Sequence, residues 1–587
     1  MACALLAATS CESMLEIPQK GVTSYDDFYA SDADAEQALT NMYKQYINNV
    51  AATEGIDVPE QVVLNYSADD ILAAGGHNED HAPFRYFCEF RYDNANATLK
   101  QVYQRYMYSI YHANLVISNF TNENREGTAP KWESAFTKQA VAEARVMRAY
   151  LHLMLALSWN NPPIIDRVYN ADEVIASSES QSQVLEWVIA ECEKAISSGA
   201  LPVRASKNDK DATARMSVGF AQFIAGKAAM FNNDPATARK YLGDLINSEK
   251  YDLVPTEEYW TNFHVAGDGS VEKIFEPNFL EDPAYTNNPW GSGAPIQRGR
   301  WMVANVFCWR TDALASQPQP HDGFQGWNGG AVQETFAEKF LAHDGNSPRR
   351  LACFLTGDEW LYEMEWNSEL NDATLAEKEK DPKRGIASAA GVFSHGPYFE
   401  WKHMVFVKPP KILTGGKEYP SDNVTGLGPG SNQKNFNVAR YAEALLLYAE
   451  ACIDSADEAK GLAALQKVQK RSGSGKISDK LTFENVMEEK QYEMWFESCR
   501  FHDLVRWSNQ GKVDLDQIFN KSGIHTKVPT VYDAFFTKGE AKHRLYTEYQ
   551  ALNAGFVVGK HEYFPFPHDF MAVNPNLKNV RGWEGVE

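Results

Sequence analysis

Apolar residues recur at steps of three and four along both flanks of this chain, and that spacing demands a largely helical fold. Leu99, Val102, Tyr106, Ile110, Ala113 and Ile117 form one stripe, and Ala140, Ala144, Met147, Leu151 and Met154 form the next. Residues so spaced share one helix face, which must be buried against another element. The second helix has to stop at Asn161-Pro162-Pro163, because two prolines cannot continue it. Amphipathic runs follow at 180–197 and 215–231, the latter crowded with small residues (Gly219, Ala221, Ala225, Gly226, Ala228, Ala229) that let helices approach closely. Asp234-Pro235 then offers an N-cap and a proline at the first helical position. Toward the C-terminus, Val438, Tyr441, Leu445, Tyr448 and Cys452 make another stripe. Residues 458–471 read as a short partner helix and 482–507 as one long helix.

Residues 251–435 break this pattern. They are rich in Gly and Pro, lack long stripes, and hold eight of the fourteen tryptophans. Strands are expected at 273–277 and 401–408, with loop and short helix elsewhere. A long irregular region inside a compact protein is usually functional. The expected fold is therefore mainly α, with tetratricopeptide-like helical pairs forming a scaffold and a large loop-rich insert forming the ligand-binding part. The division reads as 1–10 (a signal-peptide remnant), 11–250 (helical), 251–435 (the aromatic-rich insert) and 436–587 (helices packing on the N-terminal ones).

The insert suggests its own chemistry. Trp290, Trp301, Trp309 and Trp327, with Tyr285 and Phe324, lie among Gly and Pro, beside Arg298, Arg300 and Asn328. Flat indole faces stack on the apolar faces of sugar rings, while Arg and Asn hydrogen-bond hydroxyls. About half of these tryptophans are expected to pack loops onto helices and about half to be displayed. A second candidate wall is 83–96, with Tyr86, Tyr92, Asn94 and Asn96.

Other chemistries fare worse. A net charge of −22 disfavours nucleic acid as a partner. No stretch reaches the roughly 20 apolar residues of a membrane span. Eight cysteines show no CxxC or zinc spacing, and Cys192, Cys452 and Cys499 fall within expected helices as small buried thiols. His77-Asn78-Glu79-Asp80-His81 follows Gly75-Gly76 and reads as a polar loop rather than a metalloprotease motif. Asp268-Gly269 and Asp344-Gly345 are single acidic turns, not a complete calcium loop. No cofactor is expected, calcium being the one ion the many oxygen ligands leave open. Gly415-Gly416-Lys417 lacks the spacing of a phosphate loop and reads as a turn. Glu497, Arg500, Asp503 and Arg506, three apart and alternating in sign, read as helix-surface ion pairing. The start, MACALLAATSC, is a short apolar run in which Thr9-Ser10 before Cys11 resemble a bacterial lipobox, with Ala8 where Leu is usual.

Several of these segments also resemble blocks of the SusD/RagB family, in family order. They are LKQVYQRYMYSIYHANLVI (99–117), AEARVMRAYLHLMLALSWNNPPII (142–165), ATARMSVGFAQFIAGKAAMF (212–231), EKIFEPNF (272–279), NFNVARYAEALLLYAEA (435–451), FENVMEEKQYEMWFESCRFHDLVRW (483–507) and EYFPFPHDFMAVNPNLKNV (562–580). Asn160-Asn161 departs from the family's usual Gly-Asp pair. The resemblance implies a lipoprotein anchored through Cys11 to the outer membrane, surface-exposed and touching the membrane only through that anchor. It implies a glycan ligand, a SusC-like TonB-dependent transporter as partner, and no enzymatic activity. A RagB-like peptide receptor is the first alternative, a surface glycoside hydrolase the second; a cytosolic tetratricopeptide scaffold conflicts with the N-terminus and the tryptophan-rich insert.

Overall fold

The computed structural model describes residues 28–50, 59–74, 82–123, 129–170, 172–279, 306–307, 329–356, 359, 398–400, 402–422, 432–521, 555–579 and 581–586, and the backbone of 528–532, 535–537, 540–542 and 547–550. The N-terminal flank comprises α1 (Asp32–Val50), α2 (Pro59–Tyr66), α3 (Ala82–Cys88), α4 (Ala97–Phe120), α5 (Ala135–Trp159), α6 (Gln181–Ser197), α7 (Val218–Phe231) and α8 (Pro235–Asn247). The middle region contributes α9 (Glu334–Asp344) and α10 (Pro348–Cys353). The C-terminal flank adds α11 (Tyr441–Ala451), α12 (Glu458–Ser472), α13 (Phe483–Glu493) and α14 (Arg500–Asn509). Helix α1 packs on α4, α4 on α5, α5 on α6, α6 on α7, α7 on α8, α8 on α11, and α11 on α12. The protein is thus mainly helical, and one stack joins the two flanks.

Local chemistry explains the boundaries. A capping box between Ser134 and Thr137 starts α5, and Asn160, at φ +67°, ends it ahead of the two prolines. Every residue of α5 from Ala140 onward is buried, as expected of a helix apolar on most sides. Gly226 on α7 lets α8 close in, since a Cβ there would lie 2.5 Å from Leu242 Cγ. Asp234 accepts the Thr237 N–H at 3.0 Å and caps α8, with Pro235 in the first turn. The Gly415-Gly416 turn closes a short helix, as its glycines suggest.

Three expectations need correction. The run at 215–231 becomes helical only at Val218, after a 3-10 turn at Asp211–Ala214. The strand expected at 401–408 lies instead at Tyr398–Glu400. The single helix expected over 482–507 is two, because Phe496 and Ser498 both adopt φ +60°. The left-handed region breaks an α-helix, and non-glycine residues stay there only when their surroundings hold them.

The acid–base ladder likewise does not run along a helix surface. Glu497 lies outside α14 and pairs with Arg440 and Lys402, while Arg500 pairs with Asp69 and Arg506 with Glu450. Only Asp503 and Arg506 pair within the ladder, at 3.0 Å. All four side chains are largely withdrawn from solvent.

At the centre, Glu493 accepts hydrogen bonds from Arg440 (2.8 Å), Arg471 and Arg349 (3.3 Å). Glu272 accepts from Arg440 and Arg471, each at 2.6 Å. Arg349 also binds Asp344 and Glu489. Burial alone would raise the Glu497 carboxyl, but Arg440 and Lys402 beside it hold it down to about 2. Removing one member of such a cluster leaves the others charged and unpaired. Arg440→Ala should therefore cost about 3–5 kcal/mol in urea unfolding. Lys460→Ala, which removes an exposed pair with Asp457, should leave the transition unmoved.

Candidate ligand-binding site

Several segments of the middle region are anchored at their ends to the described residues, and some of these ends lie side by side. Phe279 donates its N–H to Asn435 Oδ1 at 2.9 Å, just before residues 280–305. Val306 and Phe307 are fully buried, Phe307 packing on Phe496 (4.7 Å between ring centroids), His403 (5.6 Å) and Tyr66 (5.8 Å). Gly329 donates to Val306 O at 2.8 Å, and its own carbonyl accepts from Tyr66 Oη (2.6 Å) and Ala74 N (2.9 Å). Only glycine fits there, because a Cβ would lie 2.5 Å from Val306 O.

From Gly330 to Val332 the chain pairs antiparallel with Ile71–Ala73, Ala73 facing Gly330. Residues 75–81 and 308–328 therefore attach at the same end of one ladder. A second ladder, Phe354–Thr356 with Tyr398–Glu400, packs beside the first. Its end at Thr356 and Tyr398 is where residues 357–397 attach. Asp422 draws together the ends of 423–431, accepting the Val265 and Phe406 N–H groups at 3.0 and 2.9 Å while its carbonyl accepts from Gln433. His264 lies 2.7 Å from the same carboxylate. Burial pushes that imidazole down to about 4, so it is neutral and its Nδ1–H donates.

The platform rests on residues 59–74, every one of them buried. Ser498 donates its N–H to Asn65 Oδ1 (2.9 Å) and its hydroxyl to Gln61 Oε1 (2.8 Å). Arg500 binds Asp69 through two nitrogens at 2.8 and 2.9 Å, and Trp495 Nε1 donates to Asp70 O at 3.1 Å. Burial pushes the Glu60 and Asp70 carboxyls up to about 7. The sequence reading missed this segment, which shows no stripe because all of its faces are covered.

The expected binding residues divide as follows. Tyr86, on α3, is half-buried beneath the Arg91 guanidinium, 4.9 Å from the ring centroid. Asn94 is half-buried, and its carbonyl accepts from His568 N. Asn96 caps α4 through Thr98 N and Leu99 N. Tyr92, expected on a displayed wall, is instead 4% exposed, packed among Phe87, Phe564 and Trp583. The chain turns at Phe90, φ +50°, and the apolar surroundings take the Tyr92 ring inward. Trp290, Arg298, Trp301, Trp309, Trp327 and Asn328, together with Tyr285, Arg300, Phe324, the loop at 77–81 and Cys11, lie outside the described residues. Trp260 is buried against Tyr419 and His264.

The exposed aromatics found among the described residues are Tyr108, Tyr111 and Trp132. The two tyrosines sit off the apolar stripe of α4, which was the available signal. Cys88, Cys192, Cys353, Cys452 and Cys499 are free and buried. Among the described residues no group of three His, Cys, Asp or Glu side chains is placed to hold a metal, and no helix is long and apolar enough to cross a membrane.

The SusD family model matches residues 414–583. No curated protein sequence matches. Among solved structures, a laminarin-binding SusD-like protein superposes with a TM-score of 0.67 at 19% identity, covering 94% of this chain and 100% of that one. Surface glycan-binding protein A from Bacteroides thetaiotaomicron, in complex with laminarihexaose, gives 0.66 at 20% identity, over 94% and 99%. A SusD superfamily protein from Bacteroides vulgatus gives 0.62 at 17% identity, over 95% and 100%. The resemblance read from the sequence therefore extends to the fold of nearly the whole chain.

Glu60 provides a pH test of the supporting segment. Its carboxyl ionises in the unfolded chain near pH 4.3 but in the folded protein only near pH 7, so wild-type stability falls as pH rises between the two. Glu60→Gln should match wild type below pH 5 and exceed it in melting temperature at pH 8.

Proposed function

We propose that this SusD-like chain is a cell-surface glycan-binding lipoprotein. It captures an oligosaccharide or polysaccharide and passes it to a SusC-like TonB-dependent outer-membrane transporter. The observation that carries the reading is the convergence of attachment points. Residues 75–81 and 308–328 spring from one end of one ladder, and 357–397 from its neighbour. Trp309, Trp327, Trp360 and Trp366 are carried by these segments, so a tryptophan-rich surface built there would stand on a single rigid base. Rigid support matters for weak, stacking-based recognition, because ordering loops on binding consumes affinity.

Two similar proteins named for laminarin and laminarihexaose support a glycan as the ligand class. The reading needs no cofactor and no covalent step. A net charge of −22 suits a neutral ligand better than a nucleic acid. Contact with the membrane would be through acylated Cys11 alone.

A glycan array beside a peptide library tests the ligand class, with laminarin and laminarihexaose as first ligands. Binding to peptides alone would favour the RagB-like alternative, and release of shorter sugars on incubation would make the protein a hydrolase. Trp290, Trp301, Trp309 and Trp327 should each be changed to Ala, with melting and glycan affinity both measured. At least one variant should keep its melting temperature yet lose ~1–3 kcal/mol of binding, as aromatic anchors do. In the native host and behind a full signal peptide, a labelled fatty acid should mark wild type and not Cys11→Ser; equal labelling would remove the anchor from the reading.

A further inference from the structure

We propose that a cavity in the helical scaffold itself, separate from the aromatic insert, binds a small carboxylate-bearing sugar. The cavity has a volume of about 340 Å³ and lies where the end of α5, the start of α6 and the end of α7 meet α14 and the C-terminal tail. Gln181, Phe231, Asn509, Gln510, Lys512 and Tyr563 are among its lining residues, and among the described residues none of the lining comes from 251–435. That volume is within the range of small-molecule sites.

Its chemistry is specific. Among the described residues no Asp or Glu lines the cavity, whereas Lys512 and Arg506 do, in a chain of net charge −22. His502, also in the lining, is pushed down to about 3 by burial and adds no charge. Four amide side chains, Gln181, Asn233, Asn509 and Gln510, offer both donors and acceptors of the kind that pair with hydroxyls. Asn509 Nδ2 donates to Tyr563 Oη at 3.0 Å, and Asn509 Oδ1 accepts from Arg581, which fixes that amide and the tyrosine in place. Gln510 Oε1, shielded from solvent, has no hydrogen-bond partner.

Behind the cavity runs an alternating chain of charges. Lys227 pairs with Glu443 (2.9 Å), Glu443 with Lys490 (3.4 Å), Lys490 with Asp503 (2.7 Å) and Asp503 with Arg506 (3.0 Å). Arg506 pairs with Glu450 (2.7 Å), and Glu450 with Lys512 (3.8 Å). The chain begins and ends on a cation, so four positive charges face three carboxylates. The five nearly fully buried members are three carboxylates and two cations, and the less buried Lys227 and Lys512 at the two ends overbalance them by one positive charge. Lys512 is the outermost member, its side chain 38% exposed at the cavity. A carboxylate on Lys512 would complete the alternation, and the amides would hold the hydroxyls of the same molecule.

The test uses the full chain at pH 7, with calorimetry and thermal melting against sodium galacturonate, sodium glucuronate, glucose and sodium sulfate. At least one acidic sugar should bind and raise the melting temperature, with glucose at least tenfold weaker. Lys512→Met keeps the alkyl stem and should weaken that binding tenfold or more without moving the melting temperature of the free protein. Gln510→Ala should weaken it several-fold. Laminarihexaose binding, if present, should be unchanged in both variants, which separates this site from the insert. The proposal fails if neither acid binds, if Lys512→Met binds as wild type does, or if sulfate binds as tightly as the sugars.

Discussion

Glu493 and the arginines around it hold together parts of the chain that lie far apart in sequence. Arg349 comes from α10, Arg440 from the start of α11, Arg471 from α12, and Glu272 from the turn before the strand at Lys273. Each charge would be expensive to bury alone, and each is satisfied only when the others are in place. Replacing the whole set with apolar side chains of the same volume could be neutral for stability. What the charges impose is arrangement. A displaced α12 would leave Glu272 short of one partner, and a displaced α10 would do the same to Asp344. The middle region is thereby locked to the C-terminal flank through contacts that admit one geometry.

That lock has a mechanical consequence at the attachment points of the insert. Glu497 lies just past α13 and is gripped by Arg440 and Lys402, while Lys402 also donates to Trp495 O. These bonds, with the Asn65 and Gln61 contacts to Ser498, stabilise a backbone in which Phe496 and Ser498 sit at φ +60°. Such conformations cost of order 1–3 kcal/mol each. In return the Phe496 ring lies under Phe307, and a Cβ on Gly330 would come within 3.1 Å of it. The charge cluster, the strained turn and the ladder therefore form one support at the ends where 308–328 and 357–397 attach.

The sequence made the stack legible because its helices obey local rules. The stripe of α4, the proline stop of α5, and the Asp234-Pro235 start of α8 each depend on residues within a few positions of one another. The break between α13 and α14 was invisible for the opposite reason. Nothing between Met494 and Cys499 is a glycine or proline, and the residues that stabilise the turn are Gln61, Asn65, Lys402 and Arg440, far away in sequence. The pairing of Glu497 and Arg500 with distant partners was hidden in the same way, since spacing of three reports neighbours on a helix and not across a core. Tyr92 shows a further limit. A tyrosine in a polar-looking stretch reads as displayed, yet its position past the Phe90 turn directs it among five other rings.

Charge and aromaticity thus divide the work. The frame is specified by side chains that must match in pairs, so its sequence tolerates little change at positions such as Arg440 or Glu493. The insert is tied to that frame by the charge pairs of Arg349, Lys402 and Glu272 and, at its tryptophan-bearing part, through backbone groups: Ala74 to Gly329 and the ladder of Ile71–Ala73 with Gly330–Val332. Backbone hydrogen bonds are indifferent to what the loops beyond them contain. Lengthening a loop between fixed ends also costs little, about 0.6 kcal/mol for each doubling. A scaffold built this way can carry long segments whose sequence is little constrained by the frame. It explains how this chain can superpose on a laminarin-binding protein over 94% of its length while sharing 19% of its residues.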